Sequence, residues 1–281
     1  MKIAILGTGT MGTALSKVLL KQGKELIVYN RTADRTVPLV ELGATAAASP
    51  EDAVREADAV IVVVLDGNAA RETLLSESVL RQVQGKKILT VTTMSAEDIA
   101  FLNEKIRSAG GNYAEVFIAG DAHDAEEGLL FLLGCDEEVK AFWQQTLGVA
   151  GEVIHTGGVG AGANAGTPYG FNTLFMCMQI AYTAAISIKY QIPEEVAVRE
   201  LSGYVPHAQQ ILPALLKRDY SSGMATVDGF QFTGQLMLDT AKAMGLDANV
   251  LDAIVGLYEK ASRMGYGDQA ESAIVEALLS E

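Results

Sequence analysis

Met1 to Arg35 read MKIAILGTGTMGTALSKVLLKQGKELIVYNRTADR, a run that begins as a strand and breaks on glycine. Lys2 to Leu6 is aliphatic and β-branched, as suits a strand buried in a parallel sheet. It gives way to Gly7-Thr8-Gly9-Thr10-Met11-Gly12, the spacing G-x-G-x-x-G. In that spacing Gly7 permits a tight strand-to-helix turn, Gly9 lets the backbone approach a pyrophosphate without a Cβ in the way, and Gly12 lets the helix pack closely on the strand. Thr10 and Met11 then open a helix whose free N–H groups and positive dipole end face the phosphates. The helix is amphipathic through Met11, Leu15, Val18 and Leu19, Gly23 fits its C-terminal cap, and a second strand from Glu25 to Tyr29 completes a βαβ unit. A glycine motif in that context points to dinucleotide binding.

The end of the second strand distinguishes the two nicotinamide dinucleotides. An acidic residue there would hydrogen-bond the adenosine ribose 2′-hydroxyl of NAD. This chain carries Asn30, followed by Arg31, Thr32 and Arg35: two guanidinium groups and a hydroxyl where a 2′-phosphate would sit. The expected cofactor is NADPH.

Composition narrows the partners. The 281 residues suit two domains, and at 49% apolar they supply ample core. A formal net charge of −14 argues against nucleic acid or an anionic membrane surface, both of which demand basic patches. The chain enters a core strand at Lys2 with no visible signal peptide, and its two cysteines, Cys135 and Cys177, lack metal-ligand spacing. A reducing, cytoplasmic setting is expected. His123, His155 and His207 make no recognisable metal pattern, so no metal is expected either.

Beyond Arg35 the alternation of strand and helix continues. Asp58 to Leu65 reads as the strongest central strand, ending at Leu65-Asp66-Gly67, so that Leu65 and Asp66 face the cofactor crevice. Lys87 to Val91 reads as the next strand, with Thr92-Thr93-Met94 at its carboxyl end before a helix capped by Ser95. Thr93 and Met94 are cofactor candidates there, simple loop polarity being the alternative. Asn112 to Glu115, Leu129 to Gly134 and Glu152 to His155 read as further strands, with a helix from Asp136 to Leu147. Gly157, Gly158, Gly160 and Gly162 then suggest a flexible joint, and no charged residue appears from there to Ile188. That stretch is long enough to span a membrane. Its scattered Asn172, Thr173, Gln179, Thr183 and Ser187, with no basic flank, favour a soluble helix buried on all sides between two domains and covered by a second subunit. From Pro193 onward the pattern is helical throughout. The expected architecture is α/β: a doubly wound Rossmann domain over residues 1–160, an inter-domain helix over 161–192, and an all-helical substrate and dimerisation domain over 193–281. The active site is expected in the cleft between domains and subunits of a homodimer with exchanged helical domains.

Several stretches together resemble the β-hydroxyacid dehydrogenases and their imine reductase relatives. They are Gly7 to Gly12 with Asn30-Arg31-Thr32, the strand ending Val64-Leu65-Asp66, the Thr93-Met94-Ser95 turn, His155-x-Gly157-x-x-Gly160-x-Gly162 before a long helix, and Gly265-Tyr266-Gly267-Asp268. The resemblance covers nearly the whole chain and implies an NADPH-dependent oxidoreductase. In the hydroxyacid branch it implies a Ser-Gly-Gly loop that grips a carboxylate; the matching positions here are Ala119, Gly120 and Asp121. It also implies a catalytic lysine and asparagine at positions that hold Gly166 and Gly170. Losing all three features turns the reading toward the imine reductase branch, which uses an apolar cleft to reduce C=N bonds from imine or amine-plus-carbonyl substrates. Many members of that branch carry an aspartate where Gly166 stands. The candidate catalytic residues are then Tyr169, a phenol able to donate a proton, and Asn172, able only to orient. Asp121, His123 and Gln231 are substrate-pocket candidates, with Tyr204 and His207 in reserve. Reduction of a hydroxyacid-type C=O substrate, and NADPH binding without turnover, are the alternatives.

Overall fold

The structure, a computed structural model, describes residues 1–280 apart from 121, 123, 204, 206 and 207, and of 208–210 the backbone alone. Asp121, His123, Tyr204 and His207 therefore lie outside the described residues. The chain divides into two compact units, Met1–Gly166 and Thr167–Glu281.

The first unit contains β1 (Lys2–Leu6), α1 (Thr10–Lys21), β2 (Glu25–Tyr29), α2 (Val37–Val40), β3 (Thr45–Ala46), α3 (Pro50–Glu56), β4 (Ala59–Val62), α4 (Gly67–Leu74), α5 (Glu77–Leu80), β5 (Lys87–Thr90), α6 (Ala96–Ser108), β6 (Asn112–Ala119), β7 (Leu129–Cys135), α7 (Glu137–Leu147) and β8 (Gly151–Gly157). Its strands form one sheet in the order β3-β2-β1-β4-β5-β6-β7-β8, parallel except where β6 meets β7. Strand alternation fills a core on each face. Ile3 and Ile5 of β1 pack with Leu15 and Leu19 of α1, whereas Ala4 and Leu6 pack with Val54 of α3 and Leu102 of α6.

Strand lengths differ from the sequence pattern for identifiable reasons. β4 stops at Val62 instead of reaching Leu65, because the ladder parts where the chain leaves β1 for opposite sides of the sheet. β6 extends to Ala119, four residues beyond the expected Glu115, because antiparallel pairing to β7 continues as far as Ala119↔Leu130. The run of glycines after β8 is not a loose joint. The Glu115 carboxylate accepts the N–H groups of Gly160 (3.0 Å), Gly162 (2.8 Å) and Ala163 (2.9 Å), which ties the segment to β6.

The long helix, α8 (Ala161–Tyr190), starts in the first unit and continues into the second. The second unit adds α9 (Glu194–Ser202), α10 (Ala208–Leu216), α11 (Val227–Ala243), α12 (Asn249–Ala261) and α13 (Ile274–Leu279). Its core joins Leu174, Cys177 and Ala181 of α8 to Leu238 of α11 and Tyr258 of α12. The expected helix from Gln269 begins instead with Ala270 bridged to Thr226 and a turn of 3₁₀ helix at Glu271–Ala273, so one short strand contact does occur among these helices. Within the single chain α8 is not covered all round. Asn172, Phe175, Gln179, Tyr182 and Ile186 are exposed and spaced alternately by three and four residues, a single uncharged stripe along one side. Phe175, Tyr182 and Ile186 are 44%, 51% and 50% exposed.

Candidate functional site

The sheet order places the topological switch point between β1 and β4, where open α/β sheets bind ligands beyond the carboxyl ends of their strands. Four contacts build that edge. The Gly7 N–H donates to the Tyr29 carbonyl (2.8 Å), the Val63 N–H to the Leu6 carbonyl (2.8 Å), the Val91 N–H to the Val62 carbonyl (2.8 Å), and the Val64 N–H to Thr92 Oγ1 (3.3 Å).

Each glycine of the motif has its own geometry. Gly7 has φ +104°, and a Cβ there would overlap the Val63 carbonyl. A Cβ on Gly12 would overlap the Gly7 carbonyl, so this glycine is what lets α1 pack against the turn. A Cβ on Gly9 would meet no atom within 4 Å. The space over Gly9 and the first amides of α1, at Thr10 and Met11, is therefore open to a ligand. An anion there gains the N-terminal N–H groups and dipole of a twelve-residue helix.

Asn30 is held at both ends of its side chain. Its Oδ1 accepts the Thr8 N–H (3.1 Å) and its Nδ2 donates to the Thr32 carbonyl (3.0 Å), which braces the glycine turn against the loop after β2. Arg31, Thr32 and Arg35 are exposed, and among the described residues neither guanidinium has an ion-pair partner. Arg35 lines a cleft of about 580 Å³ together with Thr8, Gly9, Thr10, Thr13 and Lys17 on one side and Ala122, Ala125 and Glu126 of the β6–β7 loop on the other. Arg31 is not part of that lining. Thr13 and Lys17 escaped the sequence analysis, although both fall on the polar side of α1, four residues apart, as its hydrophobic periodicity implies.

On the opposite rim Leu65 is 74% exposed, and Asp66 spends its Oδ1 on the Ala69 N–H (2.8 Å) as the N-cap of α4. Thr93 is exposed, whereas the Met94 side chain is buried in the core with Ile99 and Leu102. The two helices behind this rim are joined by Asp98, which accepts from Ser95 Oγ (2.7 Å) and pairs with Arg71 (2.7 Å).

Tyr169 and Asn172 lie on the solvent side of α8, and Gln231 is half-buried on α11. The two glycines before and after Tyr169 are hemmed in. A Cβ on Gly166 would overlap the Phe117 ring of β6, and a Cβ on Gly170 would lie 3.3 Å from the Met237 sulfur of α11. Among the described residues no group of three or more His, Cys, Asp or Glu is placed to hold a metal ion.

Residues 2–158 match the model of a family described as the NAD binding domain of 6-phosphogluconate dehydrogenase. The chain belongs to that family. The first unit is accordingly an NAD(P)-binding domain within the β-hydroxyacid dehydrogenase superfamily. The chain is 33% identical to Arabidopsis thaliana glyoxylate/succinic semialdehyde reductase 1 over 149 residues, 52% of this chain and about half (51%) of that protein. It is 26% identical to the chloroplastic reductase 2 of the same plant over 98% of this chain and 79% of that protein. In fold it is similar to 3-hydroxyisobutyrate dehydrogenase from Salmonella typhimurium, with a TM-score of 0.88 at 22% identity over 98% of this chain and 99% of that one. It is also similar to an imine reductase from Myxococcus stipitatus in complex with NADP+, with a TM-score of 0.71 at 23% identity over 99% of this chain and 100% of that one.

The glycine geometry separates binding from folding. Gly9→Ala is expected to leave the thermal midpoint nearly unchanged while weakening NADPH binding by about tenfold or more, the cost of a misplaced charge-assisted contact. Gly12→Ala is expected to lower the midpoint as well. Differential scanning fluorimetry and a fluorescence titration with NADPH check both, and equal destabilisation by the two changes would refute the assignment.

Proposed function

We propose that the chain is an NADPH-dependent reductase of C=N bonds, converting an uncharged imine, an iminium ion, or the amine and carbonyl that condense to one, into an amine. The observation that carries this reading is the Phe117 ring lying where any side chain at Gly166 would have to start. In the hydroxyacid branch the resemblance assigns a lysine to that position, and here neither a lysine nor an aspartate fits without displacing the ring. At Gly170 a Cβ would make a tight contact with the Met237 sulfur, 3.3 Å away, without overlapping it, so the positions of the absent lysine and asparagine adjoin apolar side chains. A C=O substrate needs a proton donor at oxygen, whereas an iminium is already activated. A bound nicotinamide supplies the hydride. The chain's part is then to bind and orient, with the Tyr169 hydroxyl as the proposed proton donor to a neutral imine and Asn172, three residues on, orienting it.

A second reading, reduction of an aldehyde C=O, is favoured by the names of the two Arabidopsis relatives. NADPH oxidation followed with a cyclic imine, a ketone plus an amine, succinic semialdehyde and glyoxylate separates the two. Turnover of the first two substrates is expected, and turnover of the aldehydes alone would replace the first reading with the second. Silence throughout, with NADPH bound, would mean a binding protein without turnover. In Tyr169→Phe the turnover number for a neutral imine is expected to fall by about 10²–10⁴-fold, the usual effect of losing a general acid, and that for a preformed iminium by less.

NADPH is preferred over NADH because β2 ends without an acid and is followed by two guanidinium groups, Arg31 and Arg35, that have no ion-pair partner among the described residues, Arg35 lining the cleft beside the glycine turn. Arg35→Ala is expected to cost about 1.5–3 kcal/mol in NADPH affinity, as for a hydrogen bond to a charged group, and to leave NADH affinity unchanged. An equal loss for both cofactors, measured by titration, would place Arg35 elsewhere.

The open stripe on α8 supports a homodimer with exchanged helical domains, in which a second copy covers Phe175, Tyr182 and Ile186. Sedimentation at micromolar concentration is expected to give twice the 29.7 kDa mass of one chain. Sedimentation as a single chain would contradict it.

A further inference from the structure

Thr10, Thr13, Ala14 and Lys17 fall at i, i+3, i+4 and i+7 of α1, so one face of that helix forms the floor of the cleft beside the glycine turn. Arg35 stands on one side of the floor and Glu126 on the other. From Thr10 to Lys17 the floor runs two turns into the helix, about 10 Å by the rise of an α-helix, whereas a pyrophosphate at Gly9, Thr10 and Met11 uses only the first turn. The Lys17 end of the cleft is left over by that seat.

What this end offers a ligand is positive charge. Lys17 and Arg35 are both exposed, and neither has an ion-pair partner among the described residues. Helical side chains lean toward the helix N-terminus, so the Lys17 stem leads its ammonium back over Thr13 and Ala14, within the cleft. The Arg35 main chain is tied to the glycine turn: its carbonyl accepts from Thr8 Oγ1 (3.2 Å) and its N–H donates to the Thr32 carbonyl (3.1 Å). Thr13 Oγ1 in turn donates to the Thr8 carbonyl (3.0 Å), so these two hydroxyls have already spent their protons. An anion there must take its hydrogen bonds from the ammonium and the guanidinium. Glu126 opposes them, but it is answered by Lys21, 4.0 Å away and one turn beyond Lys17.

We propose that Lys17 and Arg35 form a phosphate-monoester subsite on the outer face of α1, separate from the pyrophosphate seat. A carboxylate would balance only one of the two cations. A phosphate monoester carries a charge of about −1.5 to −2 at pH 7 and three acceptor oxygens, enough to engage the guanidinium and the ammonium together. Two sources carry that group, the adenosine 2′-phosphate of NADPH and a separate phosphorylated molecule. The first rests on the cofactor reading given above and adds Lys17 to it as a residue that sets NADPH over NADH; the second does not depend on that reading.

Titration of the full chain with NADPH, NADH and inorganic phosphate tests the proposal without any turnover. Lys17→Gln keeps a good helix former at an exposed position, so its thermal midpoint is expected to match the wild type. In this variant NADPH binding is expected to weaken by about tenfold, as for a lost hydrogen bond between charged groups, and NADH binding to stay unchanged. Lys17→Arg is expected to bind both as the wild type does. If both cofactors instead bind Lys17→Gln normally, and inorganic phosphate binds the NADPH-loaded wild type but not the loaded variant, the subsite stands with a separate molecule as its occupant. Equal weakening of NADPH and NADH, phosphate binding undiminished in Lys17→Gln, or unchanged cofactor affinities with no phosphate bound overturns it. A wild-type chain that binds NADH as tightly as NADPH contradicts the cofactor reading alone, and the phosphate titration then decides the subsite.

Discussion

The carbonyl of Val63 lies against the Cα of Gly7, and much of the first unit's organisation depends on that approach. It can exist only because Gly7 has no side chain and adopts φ +104°. The same turn ends β1, starts α1 and stops β4 at Val62, where the two strands part toward opposite sides of the sheet. A concave edge results, with the first N–H groups of α1, unpaired among the described residues, on one wall and the ends of β4 and β5 on the other. The sheet's two cores support this edge without contributing polar groups to it.

Electrostatics there run against the chain as a whole. A protein of net charge −14 attracts an anionic dinucleotide only through local positive charge. Arg35, Lys17 and the α1 N-terminus supply it beside Gly9, while Glu126 opposes them from the facing loop. Asn30 serves this arrangement indirectly, by holding Thr8 and Thr32 in place, so that the absence of an acid at the end of β2 is also a structural solution to bracing the turn.

The glycine turn, the βαβ unit and the parallel sheet were legible because each carries a local pattern in the sequence, glycine spacing, helical periodicity and aliphatic strand runs. What the sequence hid rests on partners that no such pattern names. The length of β6 depends on β7, which arrives only after the β6–β7 loop. The glycines at 157–162 suggested looseness by composition, but their amides meet a carboxylate on β6 that no local pattern announces. Gly166 was visible as a departure from the resembled family, whereas the Phe117 ring that accounts for it was not. Met94 looked like a crevice residue from its place after β5, yet its side chain turns into the core. Substrate-side candidates were least legible, because Tyr169 and Asn172 share a helix face with a stripe that a packing role explains equally well.

The most direct test of the account is a crystal structure of the full chain with NADPH. The account predicts the pyrophosphate over Gly9 and the first amides of α1, with the 2′-phosphate against the Arg35 guanidinium. A dinucleotide bound away from the glycine turn, or a 2′-phosphate directed into solvent with Arg35 uninvolved, would contradict it.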